Sequence, residues 1–225
     1  MFASVNVIGR GRVGTALAAR LEERGVELRA SGAELDLVCV PDAAIPAVSR
    51  GLTPGHGWVG HVSGGTPLSA LDPHTRRFSV HPLQTFTLGR GPKQLDGAWA
   101  AVTGETAAAL ERAFELAEAL GLRPFEVAEE DRAVYHAGAA IASNYLVTLY
   151  RAASELVEAA GAPPEALRPL MRRTIDNGFE LTGPIARGDW ETVERHLEAI
   201  RARRPQLEPL YRILADATEA LHAVR

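Results

Sequence analysis

A chain of 225 residues, 46% hydrophobic and 23% charged, has the make-up of an ordinary globular protein with room for one large domain or two modest ones. Its net charge of −4, unopposed by any basic run, argues against nucleic acid as a main partner. The single cysteine, Cys39, excludes an internal disulfide and makes a reducing, cytoplasmic setting the default expectation.

In chain order, Val5–Ile8 is a short apolar strand that runs into glycines, unlike a secretory signal. A helix over Val13–Glu23 follows, with Val13, Ala16, Leu17 and Leu21 on one face. Strands are expected at Val26–Ala30, Leu35–Val40, Trp58–Val62, Phe78–Val80, Ala98–Val102 and Phe125–Val127, with a helix over Glu105–Leu120. Strands alternating with helices imply a mainly parallel sheet. From Asp131 onward the pattern is helical: a first helix to the Gly161-Ala162-Pro163-Pro164 break, then helices from Glu165, Trp190 and Gln206. The fold class is therefore α/β, with an N-terminal domain over 1–129 and an all-helical domain over 130–225. Ala133–Tyr150, 18 residues without Asp, Glu, Lys or Arg, is long enough to suggest a membrane span. His136, Ser143 and Asn144 interrupt it, so a buried helix is expected and no membrane partner.

Gly9-Arg10-Gly11-Arg12-Val13-Gly14 matches G-x-G-x-x-G between a strand and a helix, the context the motif requires. There the first glycine permits a tight turn, the second lets backbone approach a pyrophosphate, and the third lets helix and strand pack closely. The phosphates would rest on free N–H groups at the helix N-terminus. A glycine-rich turn without ligand is the plainer alternative. At the end of the second strand Arg29-Ala30-Ser31 replaces the acidic residue that would hold an NAD ribose, and suits a 2′-phosphate. NADP(H) is the expected cofactor and NAD(H) the alternative, with Glu34 and Asp36 as competing acids. Parallel neighbours need a crossover of about a dozen residues, yet only four separate Ala30 from Leu35. The usual helix after the second strand must be absent and the adenosine side of the site more open.

With Val40-Pro41-Asp42, His81-Pro82-Leu83-Gln84-Thr85-Phe86, Tyr135-His136-Ala137, Ala142-Ser143-Asn144-Tyr145-Leu146 and Leu181-Thr182-Gly183-Pro184-Ile185-Ala186-Arg187-Gly188-Asp189, the chain resembles a family of Rossmann-like proteins with an uncharacterised helical C-terminal domain. These are relatives of ketopantoate reductase, pyrroline-5-carboxylate reductase and the 6-phosphogluconate dehydrogenase-like superfamily. The resemblance covers nearly the whole chain. It implies a dinucleotide fold, with Pro41 beside the cofactor, and a helical substrate and dimerisation domain. It also implies reduction of a small keto acid or imine, ketopantoate being one possibility. The lysine that ketopantoate reductase uses as proton donor has no counterpart near Asn144, and Lys93, the only lysine, lies in a loop.

Candidate chemistry falls on a few polar residues. His81 follows a strand and so lies near the carboxyl edge of the sheet, where ligands bind, with Gln84 and Thr85 behind it. A histidine before proline equally packs a turn. His136 and Ser143 stand seven residues apart on one helical face, with Asn144 beside it. Buried polar groups there need partners, from neighbouring helices or from substrate. Tyr135 points elsewhere and reads as core or rim. His136 is the preferred proton donor, with Ser143 and Asn144 orienting a substrate held between the domains and His81 near the nicotinamide. Gln84, Thr182 and Arg187 are candidate substrate contacts, Arg187 as a carboxylate clamp, although Thr182-Gly183-Pro184 also reads as a simple turn. Asp189 reads as a helix N-cap, and His196 and His222 carry no signal. The histidines lack zinc-ligand spacing, and Ser63-Gly64-Gly65 reads as a strand-end turn. A homodimer is expected. The competing reading is a non-catalytic nucleotide- or metabolite-binding protein with a degenerate cofactor site.

Overall fold

The computed structural model describes residues 1–55 and 57–223, and the side chain of His222 lies outside the described residues. Two compact units divide after Ile141. The first contains β1 (Ser4–Ile8), α1 (Arg12–Glu23), β2 (Glu27–Leu28), β3 (Leu35–Val38), α2 (Ile45–Gly51), β4 (Trp58–His61), β5 (Arg77–Pro82), β6 (Trp99–Gly104), α3 (Ala107–Ala119), β7 (Arg123–Glu126) and α4 (Arg132–Ala140). The strands form one seven-stranded sheet in the order β2-β1-β3-β4-β5-β6-β7. Every neighbouring pair is parallel except β5 and β6.

Side chains alternate across a strand, and the two faces are covered separately. Val5, Val7, Leu35, Leu37, Phe78 and Val80 share a core with Leu17 and Leu21 of α1 and Leu116 of α3. On the other face Val38 and Val59 pack with Ile45 of α2 and Leu71. The buried Arg20 joins α1 to distant loops by donating to the Leu120 and Pro92 carbonyls, each at 2.9 Å, and to Asp96 at 2.7 Å. Helix α3 begins on Thr106, whose hydroxyl accepts from the Ala109 N–H, a cap of the kind that satisfies an otherwise orphaned donor.

β2 has only two residues, and Leu28 pairs with Val5 near the start of β1. The chain leaves the sheet there and re-enters at Leu35, which pairs with Val5 from the opposite side. So the crossover runs without a helix, as the four-residue spacing requires. Glu34 secures its return: its N–H donates to Ser4 Oγ at 3.1 Å, and its carboxylate accepts from the Ala3 N–H at 2.8 Å.

The expected boundary at residue 129 falls before α4, whereas the units divide after it. The cause is Arg132, a buried guanidinium that ties the first turn of α4 to β5 and β6. The single helix expected to run to Gly161 is also interrupted, and none of residues 133–150, expected to be buried, is fully buried. A π-helical turn over Ile141–Tyr145 separates α4 from α5 (Leu146–Ala159). With α5, the second unit contains α6 (Leu167–Asp176), α7 (Trp190–Arg203) and α8 (Glu208–Ala223). Asp189 caps α7 as expected, accepting from the Thr192 N–H at 3.1 Å. Among the described residues no helix is long and apolar enough to cross a membrane.

Candidate active site

The parallel strands β1, β3, β4 and β5 end at one edge of the sheet, so the loops after Ile8, Val38, His61 and Pro82 line it together. β1 is the strand at which the sheet order reverses, the position where open α/β sheets bind ligands.

The three glycines after β1 meet different demands. Gly9 has φ +103°, and a Cβ there would lie 2.5 Å from the Cys39 carbonyl oxygen. A Cβ on Gly14 would lie 1.9 Å from the Gly9 oxygen, so α1 and β1 approach as closely as the motif demands. A Cβ on Gly11 would meet nothing within 4 Å, and its φ of −72° suits any residue. The protein's own packing explains two glycines and leaves the third unexplained. Gly11 is also the N-cap of α1, with no side-chain cap bonded to that helix end. A bare helix N-terminus beneath a backbone without a side chain fits a pyrophosphate. Gly9, Arg10, Gly11, Arg12, Val13 and Gly14 make up this turn and helix start, with Arg10 and Arg12 exposed. Arg29 is exposed and ion-paired to Glu27 at 2.7 Å, which raises the guanidinium pKa and lowers that of the carboxylate. Ser31 is exposed on the short crossover, and Pro41 follows β3 as the N-cap of a short 3₁₀ turn.

Two strands along from β1, roughly 10 Å at ordinary strand spacing, the loop Ser63-Gly64-Gly65 after β4 carries two imidazoles. A Cβ on Gly64 would lie 2.8 Å from both His81 Cε1 and His136 Cδ2, and one on Gly65 would lie 2.7 Å from His136 Nδ1. These glycines are seats for the histidine rings, which meet edge to face with centroids 5.7 Å apart. The loop is held from both sides. The Ser63 hydroxyl donates to Asp42 at 2.8 Å and accepts from the Thr66 N–H at 3.0 Å. Arg132 donates to the Ser63 carbonyl at 2.6 Å, the Thr66 carbonyl at 3.0 Å, the Thr103 hydroxyl at 2.9 Å, and Ser79.

His81 Nδ1 lies 2.8 Å from the hydroxyl of the half-buried Tyr135, a side chain expected to point elsewhere. An α4 that starts on Arg132 turns Tyr135 and His136 together toward β5. Burial, then the nearby His136 and Arg132, pushes His81 down to about 4. Burial pushes the Tyr135 phenol up to about 12. Beneath them His61 is fully buried, and burial with the Arg132 charge holds it down to about 3. Its Nδ1 accepts from the Ser63 N–H at 3.2 Å; its Nε2 is buried without a hydrogen-bond partner among the described residues.

The structure thus brings His81 and His136 together. Ser143 and Asn144 lie on the π turn of the second unit, Asn144 exposed. Thr182 and Arg187 are exposed in that unit, Arg187 closing a 3₁₀ turn. Gln84 is used by its own loop, its amide donating to the Gln94 carbonyl and its oxygen accepting from the Thr85 N–H. The Cys39 residue is partly exposed, but its thiol is desolvated and pushed up to about 12, which disqualifies it as a nucleophile. Among the described residues no group of three or more acids, histidines and cysteines is arranged to hold a metal. Sequence reasoning missed Tyr135, Arg132, Asp42 and the Ser63-Gly64-Gly65 seat. The paired glycines directly after a strand were the one available signal.

This architecture, a Rossmann-type sheet with a helical C-terminal part, is that of a known class of proteins. Residues 98–218, more than half the chain, match the family described as domain of unknown function DUF2520, and the chain belongs to that family. No functionally curated protein matches the sequence. Protein TM1727 of Thermotoga maritima shares the fold at TM-score 0.80 and 24% identity, over 98% of each chain. A Bacteroides fragilis protein provisionally named an NADP oxidoreductase does so at 0.79 and 20% identity, over 97% of this chain and 98% of that one. A reductive aminase of Aspergillus terreus, solved with NADPH and ethyl levulinate, is more distant at 0.64 and 17%, over 98% of this chain and 95% of its own.

Proposed function

We propose that this protein is an NADP(H)-dependent reductase of a small keto acid or imine. The observation that carries the reading is Gly11. A glycine that no protein contact requires, at an uncapped helix N-terminus on the strand where the sheet order reverses, is accounted for by a ligand that must approach the backbone closely. The reductases among the proteins of like fold point the same way.

In this reading the amides at the start of α1 hold the diphosphate, and Arg29 with Ser31 favours NADP(H) over NAD(H). A reduced nicotinamide bound there supplies a hydride. His81 and His136 then provide the polar wall against which a substrate oxygen or nitrogen lies, while Gly64 and Gly65 hold both rings in place. Asn144, Ser143, Gln84, Thr182 and Arg187 are the remaining candidates for orienting the substrate. We further propose that the chain works as a homodimer in the cytoplasm.

Calorimetric titration with NADPH and NADH tests the reading. Micromolar binding with NADPH preferred, abolished by Gly11→Ala in a protein that still folds, is the expected result. Binding that Gly11→Ala leaves intact would remove the basis of the proposal. A second reading, a non-catalytic nucleotide binder, is favoured by the shortened β2 and by the Glu27 carboxylate on Arg29. Nucleotide binding without reduction of any keto acid or imine in a broad screen would favour it.

A further inference from the structure

We propose that Tyr135 and His81 form a proton relay that ends on His81 Nε2–H, and that the relay fits the site to a carbonyl substrate in preference to an imine. The inference rests on the reductase reading and deepens it.

His81 Nδ1 and the Tyr135 hydroxyl are 2.8 Å apart, and their rings meet at 80°. Among the described residues neither the hydroxyl nor the imidazole has another hydrogen-bond partner. His81 is only partly buried, and its Nε2 is not among the buried polar atoms left unpaired, so that nitrogen reaches solvent. Either tautomer fits this contact, but they leave different groups unpaired. With the phenol donating to Nδ1 only the Nε2–H is left for solvent or substrate, whereas with Nδ1–H donating both the phenol O–H and the Nε2 lone pair are left, so we assign the first. Desolvation maintains it, since burial disfavours both an imidazolium and a phenolate. The groups facing His81 reinforce it on balance. His136 and Arg132 of α4 oppose a positive charge, Asp42 after β3 favours one, and His61 of β4, itself held neutral, adds none. Tyr135 contributes its proton.

The carbonyl carbon receives the hydride, and the C=O π pair becomes a lone pair on oxygen. That oxygen takes the proton from His81 Nε2 as the N–H bond breaks. His81 Nδ1 takes the phenol proton as the Tyr135 O–H bond breaks. The resulting tyrosinate lies near the Arg132 cation, which lowers the cost of its charge; once product has left, Nε2 takes a proton from water and Nδ1 returns its proton to the tyrosinate, which restores the starting tautomer. An alkoxide is basic enough to draw a proton from a neutral imidazole backed by a phenol. A neutral imine reacts best once its nitrogen is already protonated, which calls for a donor that titrates near neutral pH. His81 is held neutral and does not serve in that way.

Histidine-labelled protein tests this directly, because two-bond 1H–15N correlations distinguish the three protonation states of each ring, and His81→Gln assigns the signal. The expected result is a neutral His81 with its proton on Nε2 from pH 5.5 to 8.5. Tyr135→Phe should leave NADPH affinity unchanged, raise the His81 titration midpoint and convert the single tautomer into a mixture. With NADPH, the 2-oxo acid ketopantoate and the cyclic imine pyrroline-5-carboxylate serve as probes. Tyr135→Phe should lower kcat on the keto acid by about 100-fold with little change in KM. A proton on Nδ1, an imidazolium at pH 7, or reduction of the imine alone overturns the proposal. So does a His136→Gln variant that loses turnover while Tyr135→Phe keeps its rate and pH profile. Failure of the same wild-type sample to bind NADPH instead sinks the reductase reading beneath it.

Discussion

Gly9, Gly11 and Gly14 look alike in the sequence, but their substitutions should behave differently. Gly9→Ala places a Cβ against backbone at positive φ and Gly14→Ala drives one into a carbonyl oxygen. Each should destabilise the fold by several kcal/mol, on the order of the larger measured effects of single substitutions. Gly11→Ala should change stability by less than about 1 kcal/mol while abolishing NADPH binding. Denaturant titrations and calorimetry on the three variants check this, and equal destabilisation by all three would contradict it. His61 and His81 give a second residue-scale expectation, since both stay neutral well below the usual histidine range. An unfolded histidine protonates near pH 6.5. From there down to about pH 4 the unfolded chain binds more protons, so stability falls as pH falls. Urea midpoints measured from pH 7.5 to 4.5 should drop, with a slope of up to roughly 2.7 kcal/mol per pH unit for two such groups. A flat profile would mean that the two rings are solvated.

At the scale of elements, Arg132 decides where α4 belongs. Its guanidinium reaches two loop carbonyls and two strand hydroxyls, a fan that a single ammonium cannot span. Arg132→Met should cost about 3 kcal/mol by leaving buried carbonyls without donors, and Arg132→Lys should recover only part of that. Chemical denaturation measures both; full recovery by lysine would show that charge alone matters. The crossover after β2 makes a different prediction. Arg29 is tied to Glu27 at the end of a strand of two residues. If it reads a 2′-phosphate, Glu27→Gln should tighten NADPH binding and Arg29→Ala should weaken it at least tenfold, with NADH unaffected in both. The spacing from Ala30 to Leu35 made the missing helix legible in the sequence. The register, which stops β2 at Val5, was not, because strand pairing involves residues more than twenty positions apart.

At the scale of the molecule, the two units differ in how well they bury themselves. The first has apolar cores on both faces of its sheet. In the second, the buried apolar residues among the described ones are Val193, Leu197, Ile200 and Ala215, while Val147, Leu170, Phe179, Ile213 and Leu221 stay exposed. Large exposed apolar surface marks an interaction site, and a second copy of the chain is the partner proposed here. Sedimentation should give a particle of about 48 kDa, twice the 24.1 kDa chain, and Val147→Asp should shift it toward the monomer. A monomer at micromolar concentration would rule the pairing out.

The sequence alone determined the α/β alternation, the glycine loop after β1, the missing helix after β2 and the change to helices in the second half. Each is written locally, in hydrophobic period, glycine spacing or chain length, and so survives without knowledge of the fold. The tertiary structure decided that the units divide after α4, that Tyr135 meets His81, and that Ser63-Gly64-Gly65 carries two imidazoles. Those depend on contacts between residues 54 positions apart for Tyr135 and His81, and 69 apart for Arg132 and Ser63. Such contacts follow no periodicity and exist only once the sheet has brought the ends of β4 and β5 under the first turns of α4.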